Sequence, residues 1–195
     1  MITAISTAAN ANDLIPWLAQ ALPEQPDGQT YVFKLRQGVK FQNVAPVNGR
    51  PMTVEDVKYS FDQIRNNASY KADYAPVVSV TTPDEQTIVL KTDAPYAPLL
   101  SYLGVGNYGT WKVFPKEIID SKITDANSIG TGPYIRAEHK QGNQILFKKN
   151  PEYWNKGVKP YLDEVKVLIM PDEAARQAAF MTKQIDILPG GANTE

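Results

Sequence analysis

Tyr31, Phe33 and Leu35 alternate with Thr30, Val32 and Lys34, the period-two pattern of a strand with one buried face. Beyond Gly38, Val39 and Phe41 leave room for a short second strand. The period then lengthens. Val54, Val57, Phe61 and Ile64 recur at helical spacing, and Thr53 with Asp56 three residues on has the form of a capping box, so a helix is predicted from about 54 to 65. Two β-rich runs, 77–80 and 87–90, are joined through Thr82-Pro83-Asp84-Glu85 and predict a hairpin. A short helix is expected between Pro95 and Leu103, stopped at Gly104, and another over 116–120, opened by Pro115. Strands over 134–138 and 144–149 flank Gln141-Gly142-Asn143. A strand over 164–170, a helix over 172–182 with Ala175, Ala178, Ala179 and Phe180 available for packing, and a strand over 185–188 complete the pattern. That last trio predicts a right-handed parallel crossover. The class is α/β (mixed α+β).

Composition narrows the function more than the fold. Of 195 residues, 43% are hydrophobic and 21% charged, which excludes a wholly disordered chain. Fifteen prolines cut the chain into short elements and argue against a helix bundle. Twenty Lys plus Arg against 21 Asp plus Glu give a net charge of -1, so no nucleic-acid partner is expected. There is no cysteine, which excludes disulfides, thiolate metal sites and a cysteine nucleophile within the segment. His139 is the single histidine, so no multi-histidine metal site forms within the chain. No apolar run approaches the ~18 residues of a membrane span, and no direct membrane insertion is expected. Residues Met1 to Ser6 lack the basic and apolar regions of a signal peptide.

Gly104-Val105-Gly106-Asn107-Tyr108-Gly109 fits the G-x-G-x-x-G spacing. Dinucleotide binding needs a strand before that motif and a helix opening within it, so that amides face the pyrophosphate. Here a helix precedes it and none follows, so it reads as a loop. The acidic pairs Glu55-Asp56, Asp84-Glu85, Asp163-Glu164 and Asp172-Glu173 are sequence neighbours that point apart. Two of them open helices, where carboxylates favour the dipole; a glycosidase would need two facing each other across a cleft. His139, beside Lys140, reads as a solvated turn histidine, and Asn67-Ala68-Ser69 is a glycosylation triplet of a kind common by chance. The aromatic set carries more. Tyr70, Tyr74, Tyr96, Tyr102, Tyr108 and Trp111 gather in the middle third, in or near loops. Each ring has a packing reading and a binding reading, and a cleft lined by several would suit a peptide or sugar. Tyr70, Tyr74, Tyr108 and Trp111 are the candidate ligand contacts; no catalytic residue, metal-ligand set or cofactor is singled out.

Five ordered stretches are familiar together. Residues 30–41, TYVFKLRQGVKF, resemble the "tFkLRkGVKF" segment of the bacterial extracellular solute-binding proteins of family 5, and 51–61, PMTVEDVKYSF, the "PlTAeDVvySf" helix start. Gly130-Thr131-Gly132-Pro133-Tyr134 and Asn150-Pro151-Glu152-Tyr153-Trp154 are similar to "GTGPY" and "NPdYW", and Arg176 to Asp186 resembles "R…sGeiD". There are departures: Val44–Arg50 is longer than the family's usual turn, and Lys183 stands where glycine is common.

The resemblance implies part of a type II periplasmic-binding-protein-like fold, one lobe only. Residues 1–29 would lead into the lobe, 30–129 form a small α+β subdomain, and 130–195 begin the large α/β lobe, with no counterpart of the second lobe. It implies the solute-binding component of an ABC transporter, here as a fragment, binding peptides for uptake, with a small-molecule or peptide ligand as its partner. Ligand would be closed between two lobes and passed to an ABC permease of the inner membrane. The location implied is periplasmic, or outside the cytoplasmic membrane on an anchor that this segment does not carry. Most ligand-gripping residues of the family would lie outside these residues, so none is carried over. Nickel, haem or oligosaccharide ligands stay open within the family. The rivals from other classes are a standalone interaction module and a carboxylate-dependent hydrolase.

Overall fold

The structure is a computed structural model that describes residues 5–7, 14–104, 111–120, 129–158 and 160–188. Strand β1 (Ile5–Thr7) pairs antiparallel with β2 (Leu14–Pro16), ahead of the first pattern the sequence makes plain. Strand β3 (Thr30–Lys34) buries Tyr31 and Phe33 and turns Lys34 outward, as its alternation requires. Helix α1 (Val54–Arg65) begins where the capping box places it. Thr53 Oγ1 accepts from the Asp56 N–H at 3.3 Å, and the Asp56 carboxylate accepts from the Thr53 N–H at 2.9 Å. Its stripe of Val54, Val57 and Phe61 is buried.

After a single helical turn, α2 (Lys71–Tyr74), strands β4 (Val77–Thr81) and β5 (Thr87–Thr92) form the expected hairpin. β5 sits in the centre of a three-stranded antiparallel sheet of order β3-β5-β4, with Phe33 opposite Ile88 and Tyr31 opposite Leu90. Helices α3 (Leu99–Gly104) and α4 (Lys116–Asp120) follow their prolines. The main core is built from these parts: Phe33, Val57, Phe61, Ile88, Leu90, Leu99, Leu103, Trp111 and Val113 are all fully buried.

A second three-stranded sheet, order β6-β7-β8, is formed by β6 (Tyr134–Lys140), β7 (Gln144–Lys149) and β8 (Glu164–Leu168). Every pairing in it is antiparallel. Helix α5 (Glu173–Met181) is capped by the Asp172 carboxylate, which accepts from the Ala175 N–H at 2.7 Å.

Three expectations fail. Val39 and Phe41 do not make a strand: they sink into the core on either side of one isolated bridge, Lys40 to Pro51. Residues 185–188 form no strand either, and Ile187 is 75% exposed, so the parallel crossover is absent. The reason is a missing neighbour, since β8 is paired on β7 alone among the described residues. For the same reason α5 buries only Ala179, while Ala175, Ala178 and Phe180 are exposed.

Candidate functional site

The aromatic residues form a chain of edge-to-face contacts from the core to the surface. Trp111 meets Phe33 at 5.3 Å and Phe61 at 5.2 Å; Phe61 meets Tyr74 at 5.5 Å, and Tyr74 meets Tyr102 at 6.5 Å. Tyr102 and Tyr96 then lie with planes tilted by 31° at 6.4 Å. Polar tips are tied to backbone: the Trp111 indole donates to the Val57 carbonyl at 3.2 Å, Tyr74 to that of Tyr102 at 3.1 Å, and Tyr31 to that of Tyr96 at 2.9 Å. Desolvation, with Tyr102 alongside, raises the Tyr96 phenol above its ordinary pKa.

Of the four candidate contacts, Trp111 is fully buried and Tyr74 is 2% exposed, so both rings face protein. Tyr70 stands just before α2 with its ring 38% exposed. Tyr108 lies outside the described residues, as does the rest of the 105–110 loop. The structure therefore brings Trp111 and Tyr74 together in one packed row and ends that row at the half-buried pair Tyr96 and Tyr102. Several of the acidic residues singled out in pairs are engaged by local partners. Asp56 is committed to its cap and an ion pair, and Asp84 accepts from its own turn through the Gln86 N–H at 2.8 Å. His139 is exposed on β6, opposite Ile145.

Two polar nodes hold the aromatic body in place, and neither was singled out in the sequence. Arg50 reaches Glu117 with Nε and Nη2, both at 2.6 Å, and Asp56 with Nη1 and Nη2 at 2.8 and 2.7 Å, while its guanidinium lies 5.1 Å from the Phe41 ring centre. The guanidinium pulls the Glu117 carboxyl down to about 2. Burial alone would raise Asp56, but Arg50 and Thr53 outweigh it and hold that carboxyl below its usual range. The two carboxylates in turn push Arg50 upward.

Gln42 is the second node. Its backbone N–H donates to the Gly130 carbonyl at 2.9 Å, its side-chain oxygen accepts from the Gly130 N–H at 3.3 Å, and its amide nitrogen donates to the carbonyls of Gly132 and Tyr134 at 3.3 and 2.6 Å. From the far side, Asn150 donates to the Gly132 carbonyl at 3.2 Å and the Trp154 indole to that of Thr131 at 3.1 Å. The 130–134 turn is thus held by side chains from positions 42, 150 and 154.

This architecture is that of the type II periplasmic binding proteins. Over 94% of its length the chain superposes on 39% of an ABC transporter-associated periplasmic binding protein, DppA of Helicobacter pylori, solved with the peptide STSA, with a TM-score of 0.81 and 27% identity. It likewise covers 36% of NikA of Brucella suis, solved with Fe(III)-EDTA, at a TM-score of 0.75 and 28% identity. The family model described as bacterial extracellular solute-binding proteins, family 5 Middle, matches residues 13–194, and the chain belongs to that family of solute-binding receptors. Among curated relatives, it is 30% identical over 182 residues to the nickel-binding periplasmic protein of Escherichia coli K12 and 28% identical over 199 aligned positions to that organism's dipeptide-binding protein. It spans about a third of their length, 33% and 36% respectively, while the matches take in 91% of this chain. No helix among the described residues is long and apolar enough to cross a membrane.

Proposed function

We propose that these residues form part of one lobe of a peptide receptor serving an ABC importer, and that they catalyse no reaction. The observation that carries the reading is the likeness along 13–194 to a receptor family whose relatives include proteins named for dipeptide binding and a structure holding a peptide. In this reading residues 30–129 are the small subdomain and 130–195 open the large lobe, in the periplasm or at the outer face of the cytoplasmic membrane, with any anchor carried outside this segment. Closure of a second lobe over the ligand and delivery to a permease complete the cycle.

Tyr70, with Tyr108, supplies ring surface to the ligand. Tyr74 and Trp111 support that surface from behind, through the row of packed rings. The test is calorimetric titration of the full-length gene product with di- and tripeptides and, separately, with nickel chloride. Peptide binding that weakens about tenfold or more in Y70A, with an unchanged melting midpoint, is the expected result. Binding of nickel but of no peptide would transfer the reading to a metal receptor. Cleavage of the added peptides, read by mass spectrometry, would overturn the receptor reading.

A further inference from the structure

Arg36 lies five positions beyond Tyr31 on the same extended segment, roughly 16 Å along it at ~3.3 Å per residue, so it marks the opposite end of β3 from the tyrosines. Beside it is an open cleft of about 560 Å³ that includes Gln20, Arg36, Gly38, Trp154, Asn155 and Lys156 in its lining. The sequence marks two of its walls only as fold motifs, the LRQG turn and the NPEYW turn, and folding brings them together.

Three observations give the cleft a chemistry. First, Arg36 is held rigidly: its Nε donates to the Trp17 carbonyl at 2.7 Å, and its guanidinium carbon lies 5.9 Å from the centre of the Trp154 ring. Trp154 is itself pinned by its indole bond to Thr131 and by an edge contact with Trp17 at 6.1 Å. Second, the cleft holds two cations and no carboxylate in its lining, on a chain whose net charge is -1. Neither Arg36 nor Lys156 is ion-paired among the described residues. Third, the wall beside the cations is a half-buried indole ring, a flat apolar surface next to a positive one.

From these we propose that the cleft binds a small carboxylate-bearing molecule, with its carboxylate on Arg36 and Lys156 and its body against Trp154. A guanidinium fixed through Nε keeps its Nη donors for a planar, bidentate acceptor, which a carboxylate matches. Lys156 adds a second, mobile donor. A volume of this size accepts a ligand of a few to some tens of heavy atoms. The site is separate from the tyrosine surface and does not depend on the peptide reading.

The test is an NMR titration of the isotope-labelled full-length protein with N-acetylglycine and, in parallel, with its primary amide, each with and without saturating peptide. The expected result is a shared saturation curve for the Arg36 Nε–H and Trp154 indole signals with the acid and no shift with the amide. R36Q should weaken binding at least tenfold and R36K by less, because the lysine keeps charge and loses the fork. K156Q, at an exposed position with no fold to disturb, should weaken it several-fold and reduce its salt dependence. Equal shifts with acid and amide, no shift with either, or unchanged affinity in both R36Q and K156Q would each overturn the proposal. Tighter binding of inorganic phosphate than of the acid would overturn the carboxylate assignment.

Discussion

Arg50 places one guanidinium between a carboxylate at the start of α1 and another on α4, and the electrostatics follow from that position. Asp56 is 2% exposed, so removing its partner strands a charge that burial penalises. R50Q should therefore destabilise by about 2–4 kcal/mol at neutral pH, measured by chemical denaturation. Both carboxyls sit below their unfolded values, so between roughly pH 4.5 and 2 the unfolded chain binds more protons than the folded one. The stability from these pairs is full above that window and is lost as pH falls through it. The gap between wild type and R50Q should accordingly narrow as pH falls from 5 to about 2; a constant gap would show that the pairs contribute nothing. Lys183 is the opposite case, a residue the backbone does not favour. The N–H of Gln184 reaches back to the Ala179 carbonyl at 2.8 Å and that of Lys183 to Phe180 at 3.0 Å, which closes α5 in a Schellman turn with Lys183 at φ +60°. A side chain there costs about 1–2 kcal/mol, so K183G should raise Tm by about 2–8 °C while K183A should not.

Elements are held to one another here as much by amides as by apolar faces. Gln42 gives the 130–134 turn both a donor and an acceptor, and Q42A would leave the Tyr134 carbonyl and the Gly130 N–H with no side-chain partner while Asn150 still serves the Gly132 carbonyl, a loss of about 1–3 kcal/mol. Q42E should be worse than Q42A, because a carboxylate would face the carbonyls of Gly132 and Tyr134. Hydrogen exchange at 130–136 is the readout, and equal protection in all three proteins would remove Gln42 from this role. That clamp also marks the limit of what the sequence makes legible. Helix α1, the β4–β5 hairpin and the β6–β7 pair were readable because period, cap and turn residues lie within a few positions of one another. The bonds from Gln42 to the 130–134 turn cross about ninety positions, and the Arg50 to Glu117 pair spans 67, so no local pattern announces them. The aromatic candidates failed to separate for a related reason. Tyr70 and Trp111 carry similar ring chemistry, and only packing against Phe33 and Phe61 makes Trp111 core while Tyr70 stays at the surface. The expected strand at 185–188 had the right alternation and lacked a neighbour to pair with.

Across the whole molecule, apolar surface is distributed unevenly. Nine of the twelve exposed large hydrophobic residues among the described positions fall between 158 and 187, on and around β8 and α5, including Tyr161 at 92%, Met181 at 83% and Val167 at 43% exposure. β8 is also paired along one edge only among the described residues. Exposed apolar side chains gathered beside an open strand edge are costly to leave in water and prone to association. The chain spans about a third of its curated relatives, and in a protein of the relatives' length further chain could cover these side chains. The prediction is a contrast between two proteins. In the 195-residue chain alone, M181K should reduce dye binding and self-association and leave the melting midpoint within about a degree, because Met181 is 83% exposed, and V167K, at a half-covered position opposite Ile145, should do the same at a cost of at most a few degrees. In the full-length protein the same substitutions would place unpaired charge in a buried seam and lower stability by about 2 kcal/mol or more. If both proteins tolerate the substitutions alike, the face is solvent-exposed in each, and the standalone interaction module becomes the better account of this chain.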